Sequence, residues 1–131
     1  MTVLDTGVVV EYLFDGPRAP HVESLFDAQG ELAAPDVLVF EIVAVLRRLT
    51  LRGEVGHAFA CEVLDELVDV PLALFESMPL RTRCWEMREN VSAADGLFLA
   101  LAEQLEEPLL TTDAALVRGA AAASNADVVL L

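Results

Sequence analysis

The chain has 131 residues, of which 55% are hydrophobic, and it carries a formal net charge of −14 at pH 7. This length suits one domain with a substantial core, and the hydrophobic content excludes a disordered acidic tail, so we expect a single domain over residues 1–131. All 8 basic residues are Arg, and the lack of Lys excludes P-loop nucleotide binding and Schiff-base catalysis.

Hydrophobic spacing predicts strands that alternate with helices along the whole chain. Short apolar runs predict strands at residues 2–4, 32–34, 70–75, 109–111 and 127–130. Apolar residues at helical spacing predict helices at residues 8–13, 21–28, 37–52, 54–67, 80–90, 93–105 and 114–123. No hairpin signal separates the strands. We therefore expect an α/β fold, a three-layer α/β/α sandwich with a mainly parallel sheet of about five strands, in which Pro71 places the third strand at an edge or shortens it.

The termini and cysteines indicate where the protein works. No apolar run reaches the ~18 residues of a membrane span, so we expect no membrane partner. Asp5 and Glu11 interrupt the first apolar stretch, which argues against a signal peptide. Cys61 and Cys84 are too few and too far apart for a disulfide framework or a zinc site. We expect both to be reduced core residues of a cytoplasmic protein.

The segment from Val37 to Arg52 is apolar almost all round, which predicts a buried helix that Gly53 ends. Leu13, Phe14 and Phe26 add apolar surface in nearby segments. A small sheet has limited capacity to cover so much apolar surface, so we expect part of it to be buried between two chains in a homodimer.

Four acidic residues stand out against this pattern. Asp5 and Asp113 follow strands, Asp95 lies in the first turn of a helix that Ser92 caps, and Glu41 stands alone in an apolar helix. Ligands bind beyond the carboxyl ends of parallel strands, so carboxylates there are well placed for chemistry. Three of the four also have a structural explanation. Asp113 and Asp95 can stabilise helix starts, and Glu41 can face solvent or pair with Arg48.

If the four carboxylates converge, their mutual repulsion raises some of their pKa values, and a hard divalent cation relieves it. Oxygen ligands without His or Cys favour Mg²⁺ or Mn²⁺ over zinc. A carboxylate-bound Mg²⁺ can activate water and stabilise the charge on a phosphodiester during in-line displacement. The same acidic pocket attracts a basic segment of a protein partner, whereas the net charge opposes long-range attraction of nucleic acid.

Four segments carry a resemblance to a known family: Val3-Leu4-Asp5-Thr6, Glu41 in its helix, Ala-Asp-Gly-Leu-Phe-Leu-Ala-Leu-Ala-Glu at 94–103, and Leu110-Thr111-Thr112-Asp113. In order and length, over essentially the whole chain, they resemble the PIN domain, and more narrowly the VapC-like ribonuclease toxins of prokaryotic toxin–antitoxin pairs. The resemblance implies a Mg²⁺- or Mn²⁺-dependent endoribonuclease that forms a homodimer and binds an antitoxin. It also implies that Asp5, Glu41, Asp95 and Asp113 are catalytic and metal-binding, with Thr6 and Thr111 in support.

The sequence departs from that family at two glycines. Gly7 stands where Ser or Asn is usual, which removes a hydrogen bond near the acids, and Gly96 replaces a common Ala, which weakens the helix start by up to ~1 kcal/mol. The segment after Asp113 is also poorer in basic residues. Two alternatives stay open, a catalytically idle PIN-like interaction module and another Mg²⁺-dependent phosphohydrolase. A phosphatase of the haloacid-dehalogenase type needs Asp-x-Asp after the first strand, where this chain has Gly7.

Overall fold

The computed structural model describes residues 1–28 and 30–131. Within these ranges the strands are β1 (Thr2–Leu4), β2 (Leu32–Pro35), β3 (Leu72–Phe75), β4 (Leu109–Thr111) and β5 (Val128–Leu130). The helices are α1 (Thr6–Leu13), α2 (Ala19–Ala28), α3 (Val37–Leu51), α4 (His57–Asp69), α5 (Arg81–Glu86), α6 (Ala93–Leu105) and α7 (Ala114–Ala123), and a short 3₁₀ turn covers Met78–Leu80.

The strands form one parallel sheet in the order β3-β2-β1-β4-β5. This confirms the predicted parallel α/β fold, and β3 lies at an edge, as Pro71 predicted. Every side chain of β1, β2 and β4 is buried. Because successive side chains of a strand point to opposite faces, this continuous burial requires cover on both faces, as in a three-layer sandwich.

The chain changes direction across the sheet between β1 and β4. It first runs outward from β1 through β2 to β3, and then returns to the other side of β1. Leu4 pairs with Leu110, and the Asp5 N–H donates to the Leu110 carbonyl at 2.9 Å. In an open parallel sheet this switch point is where ligands bind, just beyond the carboxyl ends of the strands.

Helix α6 supplies much of the core. Its residues 98–102 are all buried, and α6 contacts β1, β2 and β4. This places its first turn, which contains Asp95, at the same end of the sheet as the ends of β1 and β4, because α6 runs antiparallel to the strand that follows it.

Three predictions about burial and helix length are wrong. Helix α3 buries one row, Leu38, Ile42 and Leu46, whereas Phe40 and Leu51 are 71% and 69% exposed, because only one face of α3 packs on the domain. Cys61 is exposed on α4 rather than in the core, and Cys84 is half-buried. The helix predicted at 80–90 ends as α5 at Glu86.

Among the described residues, no helix combines the length and the apolar character needed to cross a membrane.

Candidate active site

Asp5 lies at the end of β1 and caps the N-terminus of α1. One carboxylate oxygen, Oδ1, accepts the Thr6 N–H at 2.8 Å, and the other, Oδ2, accepts the Thr111 hydroxyl at 2.7 Å. The residue is only 8% exposed. Both oxygens are therefore held in place, and each keeps a lone pair for a further ligand.

Thr111 connects Asp5 to the turn that carries Asp113. Its hydroxyl oxygen accepts the Asp113 N–H at 3.0 Å while the hydroxyl donates to Asp5. Asp113 is exposed, and its Oδ1 accepts the Ala115 N–H at 2.8 Å, which caps α7. The capping role predicted for Asp113 is confirmed. It is compatible with a second role because the other carboxylate oxygen is not used by the cap.

Glu41 reaches the same region from α3. Its Oε1 accepts the Thr6 hydroxyl at 2.6 Å, so Thr6 bonds Asp5 through its backbone and Glu41 through its side chain. In the described part of the chain Glu41 has no ion pair with Arg48. A hydroxyl, rather than the suggested arginine, is thus the partner of this half-buried carboxylate.

Asp95 lies in the first turn of α6, where Ser92 is the N-cap as predicted. The Asp95 N–H donates to the Ser92 hydroxyl oxygen at 3.2 Å. Three of the four acids therefore lie at helix N-termini, where the helix dipole stabilises negative charge by ~0.3–1 kcal/mol.

A single cleft of about 450 Å³ brings the four acids together. Its lining comprises the acids Asp5, Glu41, Asp95 and Asp113 with Thr6, Gly7, Val10, Phe40, Ala44, Val45, Arg48 and Thr112. The cleft, which we call the acidic cleft, has an apolar wall from α3 and one arginine. Sequence reasoning missed Phe40, because hydrophobic spacing does not tell which face of α3 turns toward Asp5, and it missed Thr112, whose contact with Gly7 depends on tertiary packing.

The electrostatics of the acidic cleft follow from burial and from repulsion between carboxylates. Burial is the largest cause that raises the pKa of Asp5, and the hydrogen bonds from Thr111 and Thr6 oppose it. The Glu41 and Asp113 carboxylates raise the Asp5 pKa further. The pKa of Asp95 is also raised, first by burial and then by Asp5. The carboxylates of the acidic cleft therefore repel one another, and this repulsion destabilises the folded protein when no cation is bound.

The donor set fits a hard divalent cation. Within residues 1–28 and 30–131, no group of three or more His, Cys, Asp or Glu side chains is arranged to hold a metal ion. Mg²⁺, however, keeps several waters and is usually held by one or two carboxylates together with substrate phosphates. The cleft offers only oxygen donors, and a bound cation would offset the repulsion that raises the pKa values of Asp5 and Asp95. The residues present therefore fit Mg²⁺ or Mn²⁺ without enclosing the ion completely.

Gly7 is explained by a close approach. A Cβ at this position would lie 2.6 Å from the Thr112 hydroxyl oxygen. The start of α1 therefore packs directly against the β4–α7 turn, and any larger residue requires Thr112 to move.

A family model of the PIN domain matches residues 2–122. The chain belongs to the PIN-domain family. Ribonuclease VapC9 of Mycobacterium tuberculosis (strain ATCC 25618 / H37Rv) is 32% identical over 113 residues, which are 86% of this chain and 86% of that protein. Ribonuclease VapC12 of the same strain is 28% identical over 119 residues, which are 90% of this chain and 91% of that protein.

Solved structures show the same fold. VapBC2 from Rickettsia felis, in a crystal structure with a DNA fragment from their promoter, matches with a TM-score of 0.74 at 13% identity. The match covers 99% of this chain and 98% of that chain. The PIN-like fold and the resemblance to VapC toxins that the sequence predicted are confirmed.

Proposed function

We propose that this PIN domain is a Mg²⁺- or Mn²⁺-dependent endoribonuclease and the toxin of a type II toxin–antitoxin pair. One observation carries the proposal: Asp5, Glu41, Asp95 and Asp113 line a single cleft at the switch point of the sheet. The relatives that the chain matches over most of its length are ribonucleases by name, which supports the same chemistry.

In this mechanism Asp5, Glu41, Asp95 and Asp113 would supply the carboxylates of the cation site, with one or two of them binding the ion directly beside waters and a substrate phosphate. A bound cation would lower the pKa of a water and offset charge on the phosphodiester, which is the chemistry that an in-line displacement needs. Thr111 and Thr6 fix the orientation of Asp5 and Glu41 through the hydrogen bonds of 2.7 and 2.6 Å. Because these hydrogen bonds already hold both carboxylates in place, little reorganisation is needed during the reaction, and this lowers the activation free energy of cleavage.

Two other functions make different predictions. An idle PIN-like interaction module keeps the fold but cleaves no RNA. A phosphatase of the haloacid-dehalogenase type needs a second aspartate at position 7, and the 2.6 Å approach at Gly7 leaves no space for it unless Thr112 moves. Titration of wild-type protein with Mg²⁺, with cleavage of a labelled RNA as the readout and Asp95→Asn as control, separates the nuclease from the idle module.

The expected antitoxin inhibits by filling the acidic cleft. An Arg or Lys of a basic segment would pair with the carboxylates, and apolar side chains would pack on the wall formed by Phe40 and Val45. Structures of VapBC toxin–antitoxin assemblies match this chain in fold, which supports a partner of this kind. Co-expression with a neighbouring antitoxin reading frame should give a complex and relieve toxicity.

A homodimer is proposed through the exposed apolar face of α3 and α4. Val43, Leu51 and Leu64 are exposed there, and they line an apolar groove of about 240 Å³. A second copy would remove this surface from water, at ~25 cal/mol per Å² of apolar area. Because the proposed substrate is RNA and both cysteines are free thiols, we also propose that the protein acts in the cytoplasm.

A further inference from the structure

A second cleft, of about 560 Å³, includes the N-cap of α6, the helix whose first turn carries Asp95. We call it the Trp85 cleft. Residues of α5 and of the segment that starts α6 line it, among them Met78, Arg81, Trp85, Arg88, Ser92 and Leu97. The two clefts share the first turn of α6, because Ser92 lines the Trp85 cleft, Asp95 lines the acidic cleft, and the two are joined by the 3.2 Å hydrogen bond.

Trp85 is the single tryptophan of the chain and is 66% exposed. The Arg88 guanidinium carbon lies 4.7 Å from the centre of its ring. An exposed indole is a flat group on which an unpaired RNA base can stack, and a guanidinium beside it can bind the neighbouring phosphate. No packing role explains Trp85, because most of its ring is in water.

Arg81 and Arg88 are positive charges without a carboxylate partner in the described part of the chain. Arg81 donates to the Met78 carbonyl at 2.8 Å, and Arg88 donates to the Trp85 carbonyl at 3.1 Å. Arg83, between them, is instead paired with Glu103 at 2.7 Å and Glu86 at 3.3 Å. In a chain with a net charge of −14, two unpaired arginines beside an exposed tryptophan form a local site for an anion.

Helix α5 is held at a fixed position relative to the acidic cleft. The Cys84 thiol donates to the Ala93 carbonyl at 3.1 Å. A Cβ at Gly96 would lie 2.8 Å from the Cys84 sulfur, so α5 and the first turn of α6 are in direct contact. Gly96 therefore permits the close packing of α5 on the first turn of α6, which contains Asp95.

We propose that the Trp85 cleft is where a single-stranded segment of the RNA substrate docks. An unpaired base stacks on Trp85, Arg81 and Arg88 contact the flanking phosphates, and the strand continues into the acidic cleft. This assignment rests on the proposed nuclease function. Charge favours RNA as the occupant of the Trp85 cleft. A basic antitoxin segment would be repelled by Arg81 and Arg88, and a second copy of the chain would place its own Arg81 and Arg88 against the same positive charges.

Trp85 itself reports the binding. We would titrate wild-type protein in EDTA, and Asp5→Asn in Mg²⁺, with a single-stranded RNA of twelve nucleotides and with the same strand annealed to its complement. The single strand should quench the Trp85 emission in a saturable way and bind about tenfold more tightly than the duplex. Absence of quenching by the single strand, or equal binding of the two, overturns the proposal.

Variants identify the contacts through the anisotropy of labelled RNA. Trp85→Ala should weaken single-strand binding about tenfold, whereas Trp85→Phe should retain most of it, because stacking needs a flat ring. Arg81→Gln with Arg88→Gln should lower the slope of log K against log salt by about 1.4, since each phosphate contact on a single strand contributes about 0.7. Arg52→Gln, at an exposed arginine at the C-terminal end of α3, is the matched control and should leave both quantities unchanged.

The failure of this proposal is distinguishable from the failure of the nuclease function. If Trp85→Ala cleaves RNA with unchanged KM, the nuclease stands and the docking site is wrong. If wild type cleaves no RNA but the single strand still quenches Trp85, the docking site stands without the nuclease. If the Trp85 emission shifts to the blue as protein concentration rises without RNA, a second copy occupies the cleft and the proposal is overturned.

Discussion

The Thr111 hydroxyl, at the end of β4, donates at 2.7 Å to Oδ2 of Asp5, which directly follows the neighbouring central strand β1. The same hydroxyl oxygen accepts the Asp113 N–H at 3.0 Å, so one buried threonine orients two of the four acids. The chemistry of the acidic cleft therefore depends on a residue that carries no charge.

Thr111→Val should disturb the acidic cleft without changing the volume of the core. It leaves an Asp5 oxygen and the Asp113 N–H without their partner, which costs about 1–3 kcal/mol of unfolding free energy. We expect a loss of RNA cleavage of at least tenfold, because Asp5 is no longer held. Urea unfolding and initial cleavage rates measure the two effects. Thr111→Ser, which restores the hydroxyl, should recover most of both; equal damage from Val and Ser would assign the effect to packing.

Asp5→Asn and Asp95→Asn should stabilise the metal-free protein while abolishing cleavage. Because the folded pKa of each acid is raised above its ordinary value of 3.8, the folded state binds more protons, and stability falls as pH rises from that value through the folded pKa. Asparagine removes the charge and caps helices as well as aspartate does. Urea unfolding in EDTA between pH 4 and 8 should show that the free energy of unfolding falls less steeply with rising pH in each variant than in the wild type. An equally steep fall would contradict the repulsion between the carboxylates.

Mg²⁺ and Mn²⁺ should raise the melting temperature of the wild type. A ligand that binds only the folded state stabilises it by about 2.7 kcal/mol at a concentration one hundred times its Kd. Thermal unfolding in millimolar MgCl₂, with NaCl at equal ionic strength as control, measures the shift. The Asp5→Asn protein should show a smaller shift. Unchanged melting of the wild type in both metals would refute the metal site.

Glu103 should support the fold at neutral pH and lose that contribution in acid. Hydrogen bonds from Arg83, and then from Ser124, lower the pKa of Glu103 below its ordinary value of 4.5. Its stabilisation is therefore present above that value and disappears as pH falls through the folded pKa. Glu103→Gln should unfold at lower urea concentration at pH 7 and match the wild type more closely near pH 3. A constant difference across this range would contradict the ion pair.

Leu51→Glu should convert the proposed homodimer to a monomer. Leu51 is exposed on α3 and lines the apolar groove shared with α4, so a carboxylate there would lose its hydration on association, at a cost of several kcal/mol. Sedimentation equilibrium at micromolar concentration measures the mass of each protein. Ala121→Glu, which adds the same charge to an exposed position on α7, should remain dimeric. A wild type that sediments as a monomer would refute the dimer.

Much of the fold was predictable because its signals are local. Short apolar runs fix the strands, and a carboxylate directly after a parallel strand must lie at the carboxyl edge, which placed Asp5 and Asp113 correctly. The Ser92 cap was predictable for the same reason. Glu41 could be singled out as anomalous, but its bond to Thr6 depends on how α3 packs on α1, which spacing within α3 does not specify.

The predictions that were wrong or missing depend on which residues pack against a given side chain in the folded protein. Helix α3 was predicted to be buried because its composition is apolar, yet half of it faces outward, since burial depends on neighbours that this chain does not supply. Trp85 was overlooked inside an ordinary helical pattern. Arg83 pairs with Glu103, 20 residues away, as well as with the nearby Glu86, whereas Arg81 and Arg88 have no carboxylate partner among the described residues; the Glu103 contact depends on tertiary packing that spacing does not specify.

The central claim is that the acidic cleft cuts RNA with a divalent cation. The most direct measurement is the cleavage rate of a labelled single-stranded RNA by wild type, Asp5→Asn and Asp65→Asn, each purified identically and stripped with EDTA. Asp65 is exposed on α4, outside the cleft, so its variant controls for contaminating nuclease and for loss of one charge. We predict no cleavage in EDTA, recovery with Mg²⁺ or Mn²⁺ for wild type and Asp65→Asn, and none for Asp5→Asn. Equal cleavage by all three proteins, or cleavage that persists in EDTA, would contradict the claim.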